Sequence, residues 1–467
     1  MYKVDFDAPC RIHFIGIGGI SMSGFAEYLH TLGFFISGSD SHQSKITDHL
    51  EDLGIKIFIG QKPSNITSDI DCVVYTAAIK EDNEELMEVK RRGLPMLSRA
   101  QMIGQVMLNF DNAVAVSGTH GKTTTTSMLS LIFMNAQLDP TISVGGILDA
   151  IGGNIRMGNS EHFIIEACEY TNTFLEFYPK RGIILNVDAD HLDFFKDIED
   201  IRNSFHLFAK RLPKDGQLFV CGDIDQLEEL TSDLSCEILT YGIIDPAYRT
   251  GTCDYDIAAD HVSFDGHSHG SYDLYFRGKF IDRINLNVIG LHNISNSLPA
   301  IGVALEVGIP IEIIKQALLT FQNSKRRLEY KGEIGGITVI DDYAHHPTEV
   351  TASLQAAKNY PHKNLWCVFQ PHTYTRLKQH LSEFAVSLSI ADKVVLADIY
   401  AAREKNPGDI SSKDLARELE NLGKEVYYFS SFDEIENFLL QNCINGDLLI
   451  TMGAGDIVTV GENLLGL

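Results

Sequence analysis

Residues 112–126 read "NAVAVSGTHGKTTTT" and are the most informative part of the sequence about its architecture. A short apolar strand leads into a glycine turn, and Lys122 opens a helix. A helix N-terminus directs backbone N–H groups and a positive dipole end at an anion, and a lysine there adds a mobile cation. The usual phosphate loop, G-x-x-x-x-G-K-[ST], places its first glycine where this chain has Val116. The stretch therefore predicts a phosphate-binding loop with a shortened glycine-rich part.

Each residue type in this loop has a physical role. Gly118 and Gly121 permit a tight turn and close approach of the backbone to a ligand. The hydroxyl of Thr123 is suited to binding Mg²⁺. The residues predicted to bind nucleotide phosphates are Gly118, Thr119, His120, Gly121, Lys122, Thr123 and Thr124.

Acidic side chains follow two further apolar runs, "HFIIEACE" and "GIILNVDADH". In a doubly wound sheet, ligands bind beyond the carboxyl ends of the strands, so both clusters are predicted at the edge that carries the loop. Mg²⁺ takes one or two protein carboxylates, and a histidine there would ligate a second metal or act as an acid or base. The candidates are Glu166, Glu169, Asp188, Asp190, His191 and Asp193.

A second glycine turn lies near the N-terminus. "GIGGIS", residues 16–21, nearly matches the dinucleotide fingerprint G-x-G-x-x-G, with Ser21 in place of the third glycine. Asp40 follows the next strand at the spacing of a ribose-binding acid. Gly16, Gly18, Gly19 and Asp40 are therefore predicted to bind a nucleotide diphosphate. NAD, FAD and a nucleotide sugar remain open as ligands.

Length and composition bound the class of protein. A chain of 467 residues suggests about three domains. The net charge of -25 argues against a surface that tracks duplex nucleic acid. The eight cysteines form no C-x-x-C pair, and the N-terminus has no signal-peptide pattern. The expectation is a cytoplasmic, soluble α/β protein that binds neither nucleic acid nor a membrane.

The order of strand and helix patterns predicts three domains. Residues 1–110 and 324–467 alternate strands and helices, which indicates Rossmann-like parallel sheets. Residues 111–323 hold the phosphate loop and are predicted to form a P-loop-type ATPase domain. Within it, "DYDIAADHVSFDGHSHGSYDLYFRGKFIDRINLNVIG" alternates polar and apolar residues and predicts an added antiparallel sheet.

These motifs together resemble the Mur ligase family of peptidoglycan synthesis, over essentially the whole chain. In that family the shortened phosphate loop is usual, which accounts for Val116. The segments that carry the resemblance are "HFIGIGGISMSG", "GTHGKTTTT", "EACEYTNTFL", "NVDADHLDFF", "GLHNISN", "KRRLEYKG", "DDYAHHPTEV" and "FQPHTYTR".

The resemblance implies an ATP- and Mg²⁺-dependent ligase of cell wall biogenesis. Its alanine-adding branch joins L-alanine to the lactyl carboxylate of UDP-N-acetylmuramate through an acyl phosphate, as the first peptide step of precursor synthesis. A branch that recycles whole peptides onto the same sugar nucleotide is the alternative. Folylpolyglutamate synthetase, a nicotinamide-dependent oxidoreductase and a non-catalytic nucleotide switch are more distant alternatives. The oligomeric state, monomer or homodimer, stays open.

The resemblance also implies roles for individual residues. Lys122 would grip the terminal phosphates, Thr123 and Glu166 would hold one Mg²⁺, and His191 would ligate a second. Arg327 would reach the transferred phosphate. The resemblance does not assign the base that deprotonates the amine, and His345 is only a candidate for it. Asn293 and Asn296 would face the adenine, and Tyr343, His345 and Arg376 would position the alanine.

Some positions depart from the family pattern. Cys168 replaces an acid, Leu328 replaces an aromatic residue, and Thr373 replaces an arginine. The carbamylated lysine of sibling ligases is absent, and Phe205 stands in its place. The alanine-adding branch also lacks that lysine, so its absence favours that branch.

Overall fold

The structure is a computed structural model that describes residues 2–76, 78–192, 194–249, 254–323 and 325–467. Asp193, one of the candidate acids, lies outside the described residues. The chain divides into two compact units, Met1–Thr240 and Tyr241–Leu467, and passes from one to the other within a strand.

The first unit begins with a parallel sheet of five strands in the order β3-β2-β1-β4-β5. The strand order reverses beside β1, so the glycine turn that follows β1 lies at the switch point where such sheets bind ligands. The elements are β1 (Arg11–Ile15), α1 (Ile20–Thr31), β2 (Phe35–Asp40), α2 (Lys45–Asp52), β3 (Lys56–Ile59), β4 (Cys72–Tyr75), α3 (Glu84–Arg92), β5 (Met96–Ser98) and α4 (Arg99–Met107), with a 3₁₀ turn at Pro63–Asn65.

The rest of the first unit carries the phosphate loop. Its strands lie in the order β11-β10-β6-β9-β7-β8, parallel except for the β7–β8 hairpin. The loop follows β6, and the two acidic segments follow its neighbours β9 and β10. The elements are β6 (Asn112–Ser117), α5 (Lys122–Asn135), β7 (Thr141–Leu148), β8 (Gly153–Arg156), β9 (His162–Glu166), β10 (Arg181–Ile184), α6 (Ile198–Ala209), β11 (Gln217–Cys221) and α7 (Leu227–Thr231), with 3₁₀ turns at Asp149–Ile151 and Tyr170–Glu176.

The second unit begins with the predicted antiparallel strands. In the order β15-β14-β13-β12, β13 pairs antiparallel with β14 and β14 with β15, while β12 and β13 are parallel. Arg277 and Gly278 both have positive φ and join β14 to β15 in a two-residue turn, as hairpin twist requires. The elements are β12 (Glu237–Ile243), β13 (Ile257–Phe264), β14 (His269–Phe276), β15 (Lys279–Ile289), α8 (Leu291–Val307) and α9 (Ile311–Thr320).

A six-stranded sheet completes the second unit, in the order β16-β17-β21-β18-β19-β20. Five of its strands are parallel, as predicted for residues 324–467, and β16 adds an antiparallel edge. The sequence did not indicate β16 because "EYKGEI" has only two apolar residues, Tyr330 and Ile334. The elements are β16 (Glu329–Ile334), β17 (Ile337–Asp342), α10 (Pro347–Lys358), β18 (Leu365–Phe369), α11 (Tyr374–Gln379), α12 (Leu381–Leu388), β19 (Lys393–Leu396), α13 (Ser412–Asn421), β20 (Glu425–Tyr428), α14 (Phe432–Asn442), β21 (Leu448–Met452) and α15 (Val458–Leu465).

The predicted α/β fold class is therefore confirmed, including the Rossmann-like sheets and the added antiparallel strands. Among the described residues, no helix combines the length and the apolar character needed to span a bilayer.

Candidate active site

The turn between β6 and α5 is held by the segment that follows β10. The backbone N–H of His120 donates to Asn186 Oδ1 at 2.8 Å, and Asn186 Nδ2 donates back to the His120 carbonyl at 3.1 Å. The N–H of Thr119 donates to the Asn186 carbonyl at 3.3 Å. These bonds tie the backbone of the loop to the segment that follows β10.

The position of Val116 explains why the loop is short. Val116 is fully buried and still belongs to β6, where it pairs with Ile183 on one side and Glu166 on the other. The turn itself begins at Gly118, whose φ is +141° and whose added Cβ would lie 2.8 Å from the Cβ of Leu185. Glycine is therefore required at position 118, whereas position 116 needs a strand residue.

Lys122 lies at the first position of α5 and is enclosed by acceptors. Its Nζ lies 2.5 Å from the carbonyl oxygen of Gly118, 3.0 Å from that of Thr119 and 3.0 Å from Glu169 Oε2. Burial lowers the pKa of Lys122, but the carboxylates of Glu169 and Glu166 outweigh burial and raise that pKa to about 12. The lysine is therefore a fixed cation at the N-terminus of the helix.

Two oxygen donors meet beside the loop. Thr123 Oγ1 donates to Glu166 Oε2 at 2.9 Å, and the N–H of Gly145 on β7 donates to the same oxygen at 2.7 Å. A Cβ at position 145 would lie 2.6 Å from Glu166 Oε1, so glycine makes room for the carboxylate. A hydroxyl and a carboxylate in this arrangement fit a hard cation such as Mg²⁺.

His191 lies on the side of Lys122 that Glu169 occupies. Its Nε2 is 3.8 Å from Glu169 Oε1, and its ring packs on Tyr170 with the centroids 4.6 Å apart. The backbone φ of His191 is +54°, a left-handed conformation that costs free energy for a residue with a side chain. The fold thus keeps His191 in a strained position next to the lysine–glutamate pair.

A cavity of about 210 Å³ opens beside this cluster in the first unit. Ser21 of α1 and Arg99 of α4 line one part of it, and Glu166 and Cys168 line another. Cys168 therefore occupies a site-facing position, where burial raises the pKa of its thiol and the nearby Lys122 opposes that rise. The acid that the family pattern has at this position is absent, while Glu169 supplies the partner of Lys122.

The N-terminal glycine turn has its own acceptors. The N–H of Gly18 donates to Asp40 Oδ2 at 2.9 Å, and the N–H groups of Gly16 and Ile17 donate to the Ser39 carbonyl at 2.8 and 3.0 Å. A Cβ on Gly18 would lie 2.8 Å from Asp40 Oδ2. Asp40 is thus bonded to the turn itself, at the position expected of a ribose-binding acid.

In the second unit, Tyr343 lies between two arginines at the carboxyl end of β17. The guanidinium carbons of Arg326 and Arg327 are 5.0 and 5.3 Å from the centroid of its ring. Arg326 forms an ion pair with Asp341, in which Nε lies 2.9 Å from Oδ2. Arg327 Nη1 lies 3.8 Å from Glu349 Oε1. Cation–π contacts of this kind hold the tyrosine ring in place.

Arg376 lies near the end of β18, together with Thr373, which stands where the family pattern has an arginine. Arg376 Nη1 donates to His372 Nδ1 at 2.9 Å, and Thr373 caps α11 by accepting from the Arg376 N–H at 3.4 Å. Leu328, the second departure, is buried and belongs to the core, and its N–H donates to Asp342 Oδ2 at 2.7 Å.

The predicted adenine-side residues begin α8. Asn293 Nδ2 donates to the Ile289 carbonyl at 2.8 Å, and Asn296 Nδ2 donates to Asn293 Oδ1 at 3.2 Å. Both residues are buried. At the position of the sibling ligases' lysine, Phe205 is fully buried against Phe174, with the ring centroids 5.4 Å apart, so this site is apolar.

Sequence reasoning missed two residues of the site, Asn186 and Gly145. Asn186 directly follows a buried strand in "LNVDADH", a position where polar residues often serve a site, so a signal existed. No sequence signal marked Gly145, because the need for a glycine there depends on where the Glu166 carboxylate lies in three dimensions.

The fold and the site geometry together define an α/β enzyme class with a glycine turn at a helix N-terminus, a charged lysine in that turn and a hydroxyl–carboxylate pair beside it. Comparison with known families narrows that class. The chain matches the Mur ligase family, catalytic domain over residues 11–111, the Mur ligase middle domain over 116–304, and the Mur ligase, glutamate ligase domain over 326–455. The chain therefore belongs to the Mur ligase family, and the predicted resemblance is confirmed.

Individual relatives are more specific. The chain is 61% identical over 467 residues to the UDP-N-acetylmuramate–L-alanine ligase of Lachnoclostridium phytofermentans, with 100% of both chains covered. It is 55% identical over 465 residues to the protein of the same name from Lachnospira eligens, again with 100% of each chain covered. Among solved structures, a Thermotoga maritima UDP-N-acetylmuramate-alanine ligase superposes with a TM-score of 0.76 at 28% identity, covering 98% of each chain. A murein peptide ligase from Psychrobacter arcticus superposes with a TM-score of 0.66 at 26% identity, also covering 98% of each chain.

Proposed function

We propose that this protein is an ATP-dependent carboxylate–amine ligase that joins L-alanine to the lactyl carboxylate of UDP-N-acetylmuramate. The observation that carries the proposal is the Lys122 cation at the start of α5, flanked by the Thr123–Glu166 oxygen pair. This loop occurs in a chain that is 61% identical, end to end, to an alanine ligase. We propose that the reaction takes place in the cytoplasm.

In the first step, two anions, a carboxylate and a triphosphate, must come together in the site. The carboxylate oxygen attacks the γ-phosphorus, ADP leaves, and an acyl phosphate forms. Lys122 serves this step by exchanging the carbonyls of Gly118 and Thr119 for phosphate oxygens, while Glu169 keeps it charged and in place. Positioning and charge neutralisation of this kind supply most of the rate in phosphoryl transfer.

Thr123 and Glu166 are the residues proposed to hold Mg²⁺ in the first unit. Their oxygens are 2.9 Å apart, and the Gly145 N–H orients the carboxylate. When bound, the ion supplies positive charge to the phosphate oxygens. His191, beside Glu169, is proposed as a ligand of a second ion.

The remaining assignments follow the family resemblance and stay proposals. Gly16, Gly18, Gly19 and Asp40 would bind the UDP-sugar, and Asn293 and Asn296 the adenine. Arg327 would neutralise the transferred phosphate, and Tyr343 and Arg376 would position L-alanine. The division into domains at 1–110, 111–323 and 324–467 is proposed on the same basis.

A substrate assay separates alanine addition from peptide recycling. We expect phosphate release from ATP to require UDP-N-acetylmuramate and to rise most with L-alanine among the amino acids. A preformed tripeptide should give little release, since the relatives at 55–61% identity are named as alanine ligases and the murein peptide ligase is 26% identical. Greater release with the tripeptide than with L-alanine would favour recycling.

Lys122 provides the sharpest test of the site. Lys122→Ala should lower alanine-dependent phosphate release by about 100-fold or more, the scale for loss of one charged group at a transition state. Thr123→Val, which leaves the Lys122–Glu169 pair intact, should lower it as well and raise the Mg²⁺ requirement. Lys180→Ala removes a surface lysine paired with Asp215 and serves as the control. Near-normal turnover of a folded Lys122→Ala variant would contradict the proposal.

A further inference from the structure

A histidine–carboxylate pair lies at the start of α10 in the second unit. His345 Nδ1 is 3.0 Å from the carbonyl oxygen of Tyr343 and 3.2 Å from Glu349 Oε2. A carbonyl and a carboxylate only accept hydrogen bonds, so Nδ1 must carry the proton. This tautomer puts the lone pair that takes up a proton on Nε2.

The carboxylate of Glu349 is itself held in place. Its Oε2 accepts the backbone N–H of His345 at 3.0 Å, and its Oε1 lies 3.8 Å from Arg327 Nη1. Glu349 belongs to the first turn of α10, where the helix dipole favours a negative charge. Only 13% of its side chain is exposed, against 20% for His345. The result is a fixed anion behind an imidazole that solvent still reaches.

Two other rings, those of Tyr343 and His372, contact the imidazole of His345. The ring of Tyr343 meets the His345 ring edge-on at 5.4 Å, and the ring of His372 does so at 5.5 Å. His372 Nδ1 accepts from a guanidinium of Arg376, which can only donate, so the lone pair of that imidazole is engaged by a cation. Of these two imidazoles, His345 is the one with a carboxylate on its Nδ1 side.

We propose that His345 is the base that deprotonates the incoming L-alanine, and that Glu349 is the positioning residue that fixes its tautomer and stabilises the imidazolium. The proposal rests on the proposed ligase function. A carboxylate that orients a histidine and balances its charge is a recurring arrangement in general-base catalysis.

L-alanine enters with an ammonium group, and His345 Nε2 takes one proton from it. The neutral nitrogen then uses its electron pair to bond to the acyl carbon of the acyl phosphate. The tetrahedral intermediate collapses, the C–O bond to phosphorus-bound oxygen breaks, and phosphate leaves with that electron pair. The nitrogen loses a second proton, to the departing phosphate, and His345 returns its proton to solvent.

Two amines of different basicity can show whether His345 acts as a general base or has only a structural role. L-alanine is protonated near neutral pH and needs a base, whereas hydroxylamine is already neutral there and attacks acyl phosphates unaided. We expect His345→Gln and Glu349→Gln to lower kcat/KM for L-alanine about 100-fold at pH 7, the lower end of general-base effects. Hydroxamate formation from UDP-N-acetylmuramate, ATP and hydroxylamine should stay within about twofold of wild type.

The pH profile and two further variants complete the test. The deficit with L-alanine should shrink as pH rises, because more of the amine is neutral without help. Glu349→Asp, which keeps the charge, should recover part of the activity. His362→Gln is the matched control, since its Nδ1 also bonds a carbonyl two residues back, that of Tyr360 at 2.6 Å, and it should behave as wild type.

The outcomes are distinct. If Glu349→Gln keeps the wild-type rate and pH profile with L-alanine, or loses alanine and hydroxylamine turnover equally, the proposed pair is overturned. If the wild-type protein makes neither amide nor hydroxamate from UDP-N-acetylmuramate and ATP, the ligase function itself fails.

Discussion

At the scale of the residue, Gly145 shows how a missing methyl group shapes the site. Its N–H donates to Glu166 Oε2 at 2.7 Å, and a Cβ in its place would lie 2.6 Å from Glu166 Oε1. Because the obstructed atom is the end of a flexible side chain, an alanine there would turn the carboxylate aside rather than break the strand. The orientation of Glu166 relative to Thr123 therefore depends on the absence of a side chain on β7.

Gly145→Ala should consequently weaken cation binding more than it weakens the fold. We expect the Mg²⁺ concentration for half-maximal activity to rise about tenfold, which corresponds to about 1.4 kcal/mol of lost binding free energy. The measurement is a Mg²⁺ titration of phosphate release, with thermal unfolding recorded in parallel. Gly153→Ala, where a Cβ meets nothing within 4 Å, is the control in the neighbouring strand β8. An unchanged Mg²⁺ requirement would show that Gly145 has no part in Mg²⁺ binding.

At the scale of the element, strand β1 carries a buried polar network beneath the N-terminal glycine turn. His13 is fully buried, with Nδ1 2.9 Å from Ser37 Oγ and Nε2 4.0 Å from Glu85 Oε1. Glu85 accepts from Ser39 Oγ and Asn65 Nδ2, each at 2.5 Å. Burial lowers the pKa of His13 to about 4 and raises the pKa of Glu85, so both groups are disfavoured in their charged forms.

This network makes the first sheet sensitive to acid. The pKa of His13 in the fold lies below that of the unfolded chain, so the unfolded chain binds a proton first as pH falls. The contribution of His13 to stability is complete above about pH 6.5 and declines toward pH 4, with a loss of about 2 kcal/mol between pH 7 and pH 5. Glu85 acts in the opposite direction, because its pKa is raised in the fold and the folded chain therefore binds that proton first as pH falls. His13→Asn should remove most of that pH-dependent loss. Native-state hydrogen exchange of the β1 amides at the two pH values measures it.

The control for this prediction is His49→Gln, which removes an exposed histidine of α2 and should leave the pH dependence unchanged. Equal pH dependence in wild type and His13→Asn would show that the proton taken up in acid binds elsewhere.

At the scale of the whole molecule, the chain combines a net charge of -25 with single cations held at defined places. Bulk charge and local charge are separate quantities, since Lys122 pairs with Glu169 and still directs its charge at the loop carbonyls of Gly118 and Thr119. The cysteines also differ in their surroundings. The seven cysteines that the structure describes are all free, and Cys72, Cys236 and Cys367 among them are buried. Cys253 lies outside the described residues.

Thiol titration tests this picture of the molecule. We expect all eight thiols to react in denaturant without reductant, because the seven described ones have no disulfide partner. In the native protein, Cys72 should react slowly, since burial raises its pKa to about 12 and the thiolate is the reactive form. Protein treated first with a phosphine reductant is the control. A lower count that reductant restores would contradict the assignment of free thiols.

The order of elements and the family could be predicted from the sequence, because strands, turns and motifs are local. "NAVAV" lies in the buried strand β6, and the alternating pattern predicted after residue 324 contains the five parallel strands β17 to β21, of which β20 is only partly buried. The hairpins of β13, β14 and β15 were predicted because alternation and a Gly-containing turn are readable over a few residues. Strand β16 was not, because an exposed edge strand needs no apolar pattern.

A glycine turn that opens a helix after a central strand could be predicted from the sequence, since backbone conformation there depends on glycines and a strand only a few residues away. The sequence could not show which acid meets Lys122, why position 145 is glycine, or that Glu349 lies behind His345. Those pairings depend on where separate strands and a helix terminus converge. They are set by the three-dimensional fold, because the energy of a hydrogen bond or an ion pair depends on distances between side chains and not on their order along the chain.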